Sequence, residues 1–89
     1  MANLSPAAQT LVNNVIAAIA AQAAGNTYRA GTHDWAVASE RLAGVLTGKV
    51  LAICNHPATL NAAEAELRSR GHQVVRHETR SGLVVTPAA

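Results

Sequence analysis

The chain predicts an α+β fold in the order helix–helix–strand–helix–strand–strand. Its sheet is expected to be three-stranded and mixed, a parallel β-α-β unit plus an antiparallel hairpin, packed with helices. Three observations predict this. Residues 5–24 repeat apolar side chains at helical spacing, the period changes abruptly at Val50–Cys54, and two short β-rich runs flank Arg80-Ser81-Gly82 near the end.

The first helix is read from Ser5 to Ala24. Ser5 suits the N-cap, Pro6 the first helical position, and Gly25-Asn26 a stop. Leu11, Val12, Val15, Ile16, Ile19 and Ala23 make a broad apolar face. The other flank is Asn13, Asn14, Ala17, Ala21 and Ala24. It carries no charge to hold water, and its small side chains allow another helix to approach to about 8 Å between axes. Residues 25–33 read as a linker with two glycines. A second helix is expected over 34–47, with Trp35, Ala38, Leu42, Val45 and Leu46 on one side and Thr47-Gly48 as its stop.

The remainder, 49–86, reads as a βαββ unit within a single domain of 89 residues. Val50-Leu51-Ala52-Ile53-Cys54 is a continuous apolar run, the pattern of a strand covered on both faces. His56-Pro57 starts a third helix that runs to Arg70 and closes at Gly71. Its Glu64/Arg68 and Glu66/Arg70 stand at i,i+4 in the favourable order. Gln73–Thr79 and Leu83–Thr86 read as the strands of a hairpin, with Pro87 ending the second. A strand–helix–strand unit crosses over right-handed, which predicts parallel strands in one sheet.

Hydrophobic residues make up 49% of the chain, but 20 of them are alanine, and there is one Trp, one Tyr and no Phe. So little bulky interior in so short a chain predicts shelter from a partner, a homodimer or higher homo-oligomer. The lone Cys54 makes no internal disulfide, and the uncharged first 28 residues are interrupted by Asn13, Asn14 and Gln22, which argues against a membrane span. A cytoplasmic protein is expected. Six Arg to one Lys, with so much alanine, is the usage of a GC-rich genome, common in small bacterial and phage proteins.

Charge is uneven. Residues 29–67 carry three basic and four acidic groups, whereas 68–89 carry Arg68, Arg70, Arg76 and Arg80 against Glu78 alone. Those four arginines are the candidate nucleic-acid contacts. The helix and hairpin that bear them resemble the recognition helix and wing of winged-helix proteins, although a full strand here separates the second and third helices.

Cys54, Asn55, His56 and Thr59 are the candidate ligand site. They lie where a strand's carboxyl end meets a helix N-terminus, with polar donors and a thiol. Ile53-Cys54 followed by Asn61-Ala62-Ala63-Glu64-Ala65, Gly71-His72-Gln73-Val74 and Glu78-Thr79 resembles the start of a fructose-type IIB component of the sugar phosphotransferase system. Over about a third of the chain, the resemblance implies a phosphoryl-accepting role for Cys54. Here the loop after Cys54 is shorter and holds Pro57 in place of glycine. The four histidines show no paired ligand spacing, so neither metal nor cofactor is expected.

The functional expectation is a small non-enzymatic interaction module that self-associates, with the flank Asn13, Asn14, Ala17, Ala21 and Ala24, together with an open sheet edge, as its interface. The alternatives are a small DNA-associated regulator and, from the enzyme class, thiol or phosphoryl chemistry at Cys54.

Overall fold

The computed structural model of the chain describes residues 4–88. Its elements are α1 (Pro6–Ala23), β1 (Arg29–Gly31), β2 (Trp35–Leu42), β3 (Val45–Cys54), α2 (Pro57–Ser69), β4 (Gln73–Arg76) and β5 (Gly82–Thr86). The five strands form one sheet in the order β1-β2-β3-β5-β4, and every hydrogen-bonded pair is antiparallel.

Both helices stand where their local signals place them. The Ser5 hydroxyl accepts from the Ala8 N–H at 3.2 Å, and Pro6 opens the first turn. α1 ends with Asn26 N–H donating to Ala21 C=O at 2.8 Å and Gly25 N–H to Gln22 C=O at 2.9 Å, the paired bonds of a Schellman stop. α2 ends the same way, through His72 N–H to Leu67 C=O and Gly71 N–H to Arg68 C=O.

The sheet corrects the sequence reading in two respects. First, residues 34–47 are not a helix. They supply β2, a turn and the start of β3, so the strand expected at 50–54 is the second half of a ten-residue strand. Ala43 and Gly44 both have positive φ (52° and 81°), the left-handed pair that a tight hairpin needs and a helix interior excludes. The linker also supplies a strand, the three-residue β1.

Second, the expected three-stranded mixed sheet with adjacent parallel strands is replaced by five antiparallel strands. β5 pairs with both β3 and β4 and so separates them. The physical reason lies in the two sequences. Gly-Leu-Val-Val-Thr of β5 is apolar toward both faces and belongs in the interior of the sheet. Gln-Val-Val-Arg of β4 buries only Val74 and takes the edge.

One face of the sheet holds the core. Register aligns Val37, Ala52 and Leu83 in one row and Val50, Val85 and Val74 in the next, and all six are buried. α1 covers β2 and β3 with Leu11, Val12, Val15 and Ala18, while α2 adds Leu60, Ala63 and Leu67. Both helices lie on this side. Among the described residues, the opposite face of the sheet carries no helix.

Candidate interaction surface

Two concave regions and one set of charges collect the residues with chemical capacity. The first region is a cleft of about 300 Å³ at the carboxyl end of β3, where α1 and α2 both begin. Three of the four ligand candidates, Cys54, His56 and Thr59, line it together with Thr10, Asp34 and Trp35; Asn55 is exposed and does not. The Cys54 thiol is held inside. The residue is only 3% exposed, and its Sγ accepts from the His56 N–H at 3.5 Å. Its backbone exchanges bonds with Ser81, N–H to C=O at 3.0 Å and Ser81 Oγ to Cys54 C=O at 2.8 Å. His56 stands at the N-cap of α2 without a side-chain capping bond. The cleft is thus lined by a buried thiol rather than a presented nucleophile.

The histidines serve locally. His72 Nδ1 accepts from the Ala88 N–H, and His77 Nδ1 accepts from the Thr79 and Arg80 N–H groups. His33 Nε2 lies 3.7 Å from the Asp34 carboxylate on the exposed loop between β1 and β2. Among the described residues no three His, Cys, Asp or Glu side chains gather as a metal site.

The arginine cluster is largely neutralised from within. Arg68 pairs with Glu64 at 2.8 Å and also donates to the Val74 carbonyl. Arg70 pairs with Glu66 at 2.8 Å. Arg76 pairs with the other oxygen of Glu64 at 3.0 Å and donates to the Asn61 amide oxygen. Of the four nucleic-acid candidates, only Arg80 makes no ion pair among the described residues. The other arginines without a carboxylate partner are Arg29 and Arg41, the latter donating to Gly44 C=O at 3.4 Å.

These three arginines line the second region, a depression of about 850 Å³ on the helix-free face of the sheet. Its lining includes Ala36, Ala38, Leu51 and Ile53 with Arg29, Arg41 and Arg80, and contains no carboxylate. Register explains the apolar floor. Ala38, Leu51, Val84 and Val75 align across β2, β3, β5 and β4, and Ala36, Ile53 and Gly82 form the row beside them. Val75 is 59% exposed on this face. Neither aromatic side chain is turned this way. The Tyr28 hydroxyl donates to Asn14 on α1 at 2.6 Å, and Trp35 packs against the core.

The flank of α1 singled out in the sequence divides. Asn13, Ala17 and Ala24 are exposed and Ala21 is half-buried. Asn14 works within the chain, accepting from Tyr28 and donating to the Thr10 carbonyl at 2.8 Å. Sequence reasoning missed the helix-free face altogether, because it exists only once β2, β3, β5 and β4 are in register. The alternation Leu51/Ile53 against Val50/Ala52/Cys54 was its one local trace. No helix among the described residues is long and apolar enough to cross a membrane. Neither a protein-family model, nor a curated protein, nor a solved structure matches the chain.

Proposed function

We propose that this chain is a small non-enzymatic interaction module that self-associates through the helix-free face of its sheet. The observation that supports it is the row Ala38–Leu51–Val84–Val75, a continuous apolar line across four strands with no charge between its members. Antiparallel sheets with one solvated face alternate apolar and polar residues. Here residues 50–54 of β3 and 82–85 of β5 are apolar on both faces, so water is met by side chains suited to an interior. The exposed flank of α1 offers mainly alanine and therefore less apolar area per residue than Leu51, Ile53 and Val84. The proposal takes the cytoplasm as the compartment, in keeping with a single buried cysteine that makes no internal disulfide.

Sedimentation equilibrium of the wild-type chain through the micromolar range tests this reading. The expected mass rises above the monomer with concentration, and Leu51→Lys, which places a charge inside the row, returns it to the monomer. A wild-type chain that stays monomeric throughout refutes the proposal.

A further inference from the structure

The two edges of the sheet, β4 and β1, differ. β4 is closed. His77 N–H donates to Gly82 C=O at 2.9 Å, and bonded residues alternate along an antiparallel pair, so Val74 turns its backbone outward. The Arg68 guanidinium donates to that Val74 C=O at 2.7 Å, and the neighbouring Arg76 side chain is held by Glu64 and Asn61 of α2. β1 is open. Ser39 N–H donates to Tyr28 C=O at 3.0 Å and Thr32 N–H to Trp35 C=O at 2.8 Å, so residues 28, 30 and 32 face β2. Arg29 and Gly31 therefore each aim an N–H and a C=O away from the sheet. Both residues are exposed, and no side chain among the described residues bonds these groups. An edge left in this state is a template for another strand.

We infer that β1 receives an extended acidic segment of another protein, added to the sheet as a sixth strand. Backbone bonds to Arg29 and Gly31 hold the segment, and the sides on which its side chains fall set its chemistry. Register places Arg29 opposite Ala38 and Gly31 opposite Ala36, on the helix-free side, while Ala30 stands opposite the buried Val37. Alternate side chains of an added strand thus emerge beside Arg29 and beside Gly31, which has no side chain to obstruct them. There they meet the depression that β1 rims. Its arginines, Arg29, Arg41 and Arg80, have no carboxylate partner among the described residues, and its wall holds no carboxylate. Glu40 is bonded by Thr47 and lines no part of it, and Asp34 lines the cleft on the helix side. Carboxylates suit these two positions of the segment, and a small apolar residue suits the one between them, beside Ala30.

A second copy of the chain does not supply such a strand. Its acidic residues are Asp34, Glu40, Glu64, Glu66 and Glu78. Glu64 and Glu66 lie on α2, Asp34 and Glu78 in loops, and Glu40 on β2, an interior strand of the sheet. Pairing β1 with the β1 of another copy brings a second Arg29 to the same side, and like charges oppose each other across strands. The contact uses the edge of the sheet rather than the centre of its helix-free face, so it stands independently of the self-association proposed above.

Two end-blocked heptapeptides test this, Thr-Val-Glu-Val-Glu-Val-Thr and its counterpart with lysine in place of glutamate. Amide hydrogen exchange of the chain, followed by NMR, reads the backbone directly. The glutamate peptide should slow exchange at Arg29 and Gly31 about tenfold or more and leave the Val74 amide on the closed edge unchanged. The lysine peptide should bind about tenfold more weakly, and Arg29→Glu should weaken the glutamate peptide about fivefold or more. Position 29 is exposed, and a circular dichroism melt confirms that the variant folds; Arg29→Ala replaces it if the melt shifts. Equal binding of the two peptides, or Arg29 and Gly31 amides left unprotected at millimolar glutamate peptide, would overturn the inference. Slowing of those amides on concentrating the chain alone would overturn it in favour of a β1–β1 contact between copies. Oligothymidylate bound more tightly than the glutamate peptide, and lost in Arg29→Glu, would overturn it in favour of a nucleic acid. A monomeric wild type removes the self-association reading, whereas peptide protection of Arg29 and Gly31 in that monomer upholds this one.

Discussion

Leu83 and Leu51 sit on central strands of one sheet, on opposite faces, and their truncation to alanine should separate the two faces energetically. Leu83 is fully buried, in a cluster that already contains Ala18, Ala52 and Ala63. Small neighbours have little side chain with which to fill a void, so Leu83→Ala should fall in the middle of the 2–5 kcal/mol range for such changes, at about 3–4 kcal/mol. A chain of this length has roughly 4–13 kcal/mol in total, so the loss approaches half of it and lowers the melting temperature by about 15–25 °C. Leu51, paired with Val84 on the helix-free face, is only half-buried in the single chain. At high dilution Leu51→Ala should cost about 1 kcal/mol or less. Urea denaturation followed by circular dichroism measures both. As the protein is concentrated, the Leu51→Ala deficit should widen, because association stabilises only the wild type by mass action, while the Leu83→Ala deficit stays constant. Equal costs at dilution, or a Leu51→Ala deficit that does not change with concentration, would refute the one-sided core and the covered outer face.

Three further outcomes follow from the same geometry. Glu64→Gln removes the carboxylate shared by Arg68 and Arg76 and should destabilise the chain by roughly 0.5–1 kcal/mol at low salt, with the difference shrinking in concentrated salt; a salt-independent loss would contradict the ion-pair account. Cys54 should resist iodoacetamide in the native chain and react on unfolding, as a 3% exposed thiol does; rapid native labelling would bring back thiol chemistry at the cleft. Duplex DNA should not retain the chain at physiological salt, because Arg68, Arg70 and Arg76 are engaged by Glu64 and Glu66; retention that Arg80→Ala abolishes would favour the DNA-associated reading.

Signals that act within a few residues were legible in the sequence. Ser5-Pro6 and Gly25 bound α1, Pro57 and Gly71 bound α2, and the i,i+4 spacing marks Glu64/Arg68 and Glu66/Arg70 as the ion pairs found in the structure. Alanine erased the signal elsewhere. In Trp35-Ala36-Val37-Ala38 the alanines fit either period, so a strand whose Val37 points inward while Ala36 and Ala38 point outward also reads as a helix face. The hairpin turn is Ala43-Gly44, without the Asn or Asp that usually announces left-handed backbone. Leu42, Val45 and Leu46 deepened the error, since apolar residues beside the solvent-facing β2–β3 turn count as core in any pattern that assumes burial. Long-range pairings left no trace: Arg76 reaches Glu64 twelve positions back, and Asp34 and Trp35 join Cys54 at one cleft only through the β2–β3 register.

Photoactivated carbene labelling of the wild-type chain, read residue by residue across a concentration series, probes the covered sheet face most directly. Labelling of Leu51, Ile53 and Val84 should fall as concentration rises, while Ala17 and Ala20 on α1 stay equally reactive. Protection of the α1 flank with an unchanged sheet face, or labelling that never varies with concentration, would contradict the account.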